Sequence, residues 1–74
     1  MSELAELLRR LKEHSGISYT ELSCKCGISR SALHRYCQGQ ILPGSYGLVE
    51  RIAVTCGAEP SELTELCRLW AIGH

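Results

Sequence analysis

Two segments that begin on a serine and stop at a glycine lie back to back around Gly27, and they constrain this chain more than any other feature. Ser18 and Glu21 form a capping box, Ile17 and Leu22 stand at the positions of a hydrophobic staple, and Gly27 ends the helix early. Ser29 caps the next helix, Ile28 and Leu33 repeat the staple spacing, and Gly39 closes it after Gln38. A tight turn joining two helices at a steep angle needs a residue with positive φ where no Cβ can be accommodated, and Gly27 meets that need. Ser23, small and on the inner side of the first of these helices, lets the second approach closely.

The rest of the chain supplies helices for this pair to rest on. Leu4, Leu7, Leu8 and Leu11 mark the apolar stripe of a first helix, with Ser2 as its N-cap and Gly16 at its C-terminal stop. Pro43 and Gly44 make Ile41 to Ser45 a loop, and Ser45 is placed to cap the fourth helix. That helix shows Leu48, Val49, Ile52, Ala53 and Cys56 on one side, is weakened by Gly47 in its first turn, and ends at Gly57. Pro60 opens a fifth, whose buried stripe is expected to be Leu63, Leu66, Cys67 and Trp70. No segment alternates with the period of a strand. The expectation is an all-α, compact five-helix bundle, and 74 residues leave room for a single domain spanning 1–74.

The third helix, over about 29–38, sorts into two faces. Leu33, Tyr36 and Cys37, with Ile28 just ahead, form the side to be buried. Arg30, Ser31, His34, Arg35 and Gln38 form the other, which carries donors and positive charge but no carboxylate. Such a surface suits phosphates and base edges in a DNA groove. The chain as a whole has eight Lys and Arg against eight acidic residues, all glutamate, so total charge does not favour nucleic acid. Its distribution does: residues through Gln40 balance to +2 and those from Ile41 onward to −2.

Other classes of function find little support. Five cysteines are an odd number, and no signal-peptide pattern precedes them, so the chain reads as cytoplasmic with reduced thiols. Cys24 and Cys26 point roughly 200° apart on a helix and cannot jointly hold a metal ion. Cys26, Cys37, Cys56 and Cys67 fall on apolar stripes and read as small buried hydrophobes, whereas Cys24 points outward. No apolar run reaches the length of a membrane span. The chain has no Asp, no paired carboxylates in apolar surroundings and no glycine-rich phosphate loop, so neither catalysis nor a cofactor is expected.

The pair around Gly27, at about 18–39, resembles the helix-turn-helix unit of regulators of the Cro and phage-repressor (XRE) type. That family expects apolar residues where this chain has Leu22, Cys26, Ile28, Leu33 and Tyr36, a small residue at Ser23 and glycine at Gly27. The run from Leu11 through Tyr19, then Leu33-His-Arg-Tyr36 and Leu42-Pro43, is similar to small regulators and N-terminal DNA-binding modules abundant in actinobacteria. The resemblance implies a lambda-repressor-like bundle that binds double-stranded DNA with its third helix in the major groove. It implies base contacts from Arg30, Ser31, His34 and Arg35, with Ser29 and Gln38 at the margins. Phosphate contacts would come from Lys12, Tyr19, Thr20, Ser29, Gln38 and Gln40. Relatives commonly carry Arg or Lys just after the glycine that ends the recognition helix, but here Gln40-Ile41-Leu42 follows. Fewer neutralised phosphates mean weak binding by a lone monomer, for which a homodimer or a further domain is the usual remedy. The alternative is a helix-turn-helix-like protein-interaction module that does not bind DNA, docking through the fifth helix and the loop at Ile41 and Leu42, with Ile72 adding to either kind of seam.

Overall fold

The computed structural model describes residues 3–73 and contains five helices: α1 (Glu3–Ser15), α2 (Tyr19–Cys26), α3 (Arg30–Gln38), α4 (Tyr46–Thr55) and α5 (Pro60–Gly73). No strand occurs among the described residues, and the chain is an all-α bundle as expected. Its Cα radius of gyration is 10.8 Å, against roughly 11 Å for a well-packed chain of this length. Ser2, the expected cap of α1, lies outside the described residues. No helix among them is long and apolar enough to cross a membrane.

One core holds the five helices together. α1 packs against α3, α4 and α5, while α2 packs against α3 and α4. Leu4, Leu7, Leu8 and Leu11 enter from α1 and meet Leu22 and Cys26 of α2, Leu33 and Cys37 of α3, Val49, Ile52 and Ala53 of α4, and Leu66 of α5. Arg51 of α4 donates from Nη1 to the Cys26 carbonyl at 3.3 Å, satisfying an acceptor that the end of α2 leaves open.

Helix boundaries follow local chemistry. Ser18 Oγ accepts from the Glu21 N–H at 3.2 Å, and Ser29 Oγ accepts from the Ala32 N–H at 3.1 Å. The capping box at Ser18 is only half used, because the Glu21 carboxylate turns to Lys25 Nζ at 3.5 Å. The Glu62 side chain does reach back, accepting from the Glu59 N–H at 2.9 Å ahead of α5. α2 and α3 end in the same motif: Gly27 and Gly39 take left-handed φ of 69° and 76°, and the next residues, Ile28 and Gln40, donate to Ser23 O and Arg35 O.

Three expectations need correction. Ser45 makes no side-chain cap, and α4 instead begins beside an anchored loop. Pro43 there is fully buried, and Trp70 Nε1 donates to its carbonyl at 3.1 Å. Cys67 is exposed, and Leu69 packs on the core with Leu63 and Trp70 around Leu66. At about 100° per residue Cys67 lies a quarter turn off the line these side chains define. A Cβ built on Gly27 would meet nothing within 4 Å, so the turn demands its φ and not its lack of a side chain.

Two outcomes are expected for stability. Gly27→Ala should cost about 1–2 kcal/mol, the strain of a left-handed alanine, whereas Leu33→Ala should cost about 2–5 kcal/mol through a core cavity. Urea unfolding that ranks them the other way would contradict this account. Burial also pushes the Cys37 thiol up to about 11 and raises that of Cys56. Iodoacetamide at neutral pH should therefore modify Cys24 and Cys67 in the folded protein and spare Cys26, Cys37 and Cys56 until denaturant is added, as read by peptide mass spectrometry.

Candidate nucleic-acid interface

The outer face of α3 is set by what its inner face must do. Leu33 and Cys37 are fully buried, and Ile28 and Tyr36 pack partly against the same core, which fixes the rotation of the helix. Arg30, Ser31, His34, Arg35 and Gln38 are consequently all exposed on the opposite side. Ser29 is exposed at the helix start, its oxygen engaged by the Ala32 N–H and its hydroxyl proton still able to donate. Gln40 is exposed just past the end, its backbone held by the bond to Arg35 O.

Charge on this face has not been cancelled internally. Two cations pair with carboxylates on their own helices: Lys25 with Glu21, and Arg68 with Glu65 through a bidentate contact. Arg51 serves the end of α2. Neither Arg30 nor Arg35 forms an ion pair among the described residues. Arg30 Nη1 donates instead to Thr20 Oγ1, at a long 3.4 Å. A neutral hydroxyl leaves the guanidinium its full charge and its remaining donors.

The start of α2 lies against α3. Tyr19 and Thr20 form its first turn, and each touches one side chain of the α3 face. Thr20 meets Arg30, while the Tyr19 ring meets the His34 ring edge-on, with centroids 5.3 Å apart and planes at 67°. Lys12, near the end of α1, places Nζ 4.3 Å from the centroid of the Tyr19 ring. Three residues assigned to phosphate contact thus stand beside two assigned to base contact. Burial raises the Tyr19 phenol pKa, the nearby Cys37 thiol adds to the rise, and Arg9 opposes it.

Arg9 lies three residues before Lys12, a spacing that puts both cations on the same side of α1. The contacts of Tyr19 with Lys12 and His34 left no comparable trace, because they join residues on three separate helices. Cys24 is exposed and Cys26 buried, on opposing sides of α2.

Comparison with curated proteins and with solved structures gives no match. The pattern of the family described as helix-turn-helix domain matches residues 3–66, from the start of α1 into α5. That match spans most of the chain, and within it α2 and α3 meet across a left-handed glycine turn with the second helix presenting a cationic outer face. This protein therefore belongs to the helix-turn-helix domain family.

Proposed function

We propose that the chain is a sequence-specific double-stranded DNA-binding domain of the Cro and phage-repressor type, acting as a transcriptional regulator or as the N-terminal module of one. Residues 1–74 form one such domain, and α3 enters the major groove. The observation that carries the reading is the exposed face of Arg30, Ser31, His34 and Arg35, which holds no carboxylate and whose arginines have no ion-pair partner among the described residues.

The division of labour rests on side-chain chemistry. Arg30 and Arg35 each offer the planar fork that fits guanine O6 and N7, and Ser31 and His34 supply single donors or acceptors to neighbouring base edges. Around them Lys12, Thr20, Ser29, Gln38 and Gln40 donate to phosphates on either side of the groove, together with Tyr19 and the N-terminus of α2. These outer contacts set register and orientation, and only the inner four discriminate sequence.

One observation favours a second reading. Ile41 and Leu42 are 42% and 38% exposed in the loop after α3, and the bond from Trp70 to Pro43 brings the end of α5, with its 71% exposed Ile72, towards that loop. This apolar surface serves a homodimer or a partner domain in a DNA-binding protein, and is the docking face in a module that never touches DNA.

Fluorescence anisotropy with a library of labelled duplexes separates these readings. The expected result is binding that weakens steeply as salt rises and falls roughly 5- to 150-fold for Arg30→Ala, the equivalent of about 1–3 kcal/mol for one bidentate base contact. Arg35→Ala should relax the preference at one base pair while leaving the others intact. Absence of any salt-dependent binding at low ionic strength would overturn the DNA reading and favour the protein-docking module.

A further inference from the structure

An imidazole on the open face of a helix ordinarily samples several rotamers, and a base can select one only at the expense of the others. His34 is exposed, yet its ring is met edge-on by Tyr19 at 5.3 Å. Tyr19 is itself held from several directions. Its backbone belongs to the first turn of α2, directly after the Ser18 cap, and its ring packs against the core. The Lys12 ammonium of α1 stands over the ring at 4.3 Å. The fully buried Cys37, one turn along α3 from His34, lies close enough to the phenol to influence its ionisation. A ring anchored to α1, α2 and α3 together is a fixed wall, and the exposed His34 ring rests against it.

We infer that Tyr19 is a positioning residue for base recognition: its ring sets the orientation in which His34 meets the major groove, and so determines the preference at the base pair His34 faces. This rests on the DNA-binding reading above and adds a second part to the one given to Tyr19 within it. As a phosphate contact, Tyr19 would act through its hydroxyl and on all sequences alike. As a wall for His34, it acts through its ring and on one base pair.

The two roles separate by substitution. Wild type, Tyr19→Phe, Tyr19→Leu, His34→Ala and the Tyr19→Leu/His34→Ala double variant are compared for relative affinity towards duplexes varied one base pair at a time. Tyr19→Phe keeps the ring and should keep the preference. Tyr19→Leu should flatten discrimination roughly two- to ten-fold at the same base pair that His34→Ala flattens, in line with the worth of one aromatic pair. The double variant should be no flatter there than His34→Ala alone. Proton NMR of the DNA-free protein supplies a second readout: the His34 ring protons should show an aromatic ring-current displacement in wild type and Tyr19→Phe, and lose it in Tyr19→Leu.

Loss of the preference in Tyr19→Phe, or an intact preference in a folded Tyr19→Leu, would overturn the assignment. So would undisplaced His34 ring protons in wild type, a result that does not depend on whether the leucine variant folds. Failure of wild type to bind any duplex would remove the DNA reading itself, and displaced His34 protons in that same sample would identify this as the failure.

Discussion

Burial of Leu33 and Cys37 is the constraint on which the interface depends. Both side chains lose all contact with water, and they lie four residues apart on a helix only nine residues long. A helix this short has little stability of its own, so tertiary packing rather than propensity keeps it folded. With two such anchors it has no freedom to roll about its axis, and Arg30, His34 and Arg35 are directed outward as a geometric consequence. The neighbouring turn works in concert: Gly27 ends α2 in a left-handed residue, Ile28 bonds back to Ser23, and Ser29 starts α3 with its own cap. Hydrophobic burial chooses the face that is presented, and capping chooses where the helix begins.

Electrostatics then adds to what packing presents on that face, which holds cations and no carboxylate. The chain is neutral overall, and a sum over residues conceals how its charges are used. Lys25 and Arg68 are neutralised by glutamates on their own helices, and Arg51 is committed to the end of α2. Exposed pairs of this kind contribute little to stability, but they withdraw cations from other uses. The arginines of α3 have no such partner, and the last four glutamates lie on α4, at the start of α5 and within it. A helix whose charge is left uncompensated in the folded protein is poorly explained by stability alone. It fits a surface that meets its counter-charge elsewhere.

The beginning of α2 joins these two themes. A helix N-terminus there supplies unpaired N–H groups, and Tyr19 and Thr20 place a ring and a hydroxyl against His34 and Arg30. Side chains that would otherwise move independently are gathered across α1, α2 and α3. A close-packed base beneath them turns three helices into one rigid support, the property a recognition surface needs if its donors are to be in place before a partner arrives.

Much of this was legible in the chain itself. The five helices, their glycine stops and the caps at Ser18 and Ser29 were readable because each depends on residues a few positions apart, whose hydrogen bonds form wherever the backbone turns helical. The two faces of α3 were readable for the same reason: a 3.6-residue period states which side chains must share a side. Only the tertiary structure decided the remainder. It buried Pro43 beneath Trp70, left Cys67 in solvent while Leu69 took its place on the core, freed Ser45 from capping, and stood Tyr19 between Lys12 and His34. Each of these outcomes turns on where one helix lies relative to another. That placement comes from filling a shared core, and no local spacing encodes it.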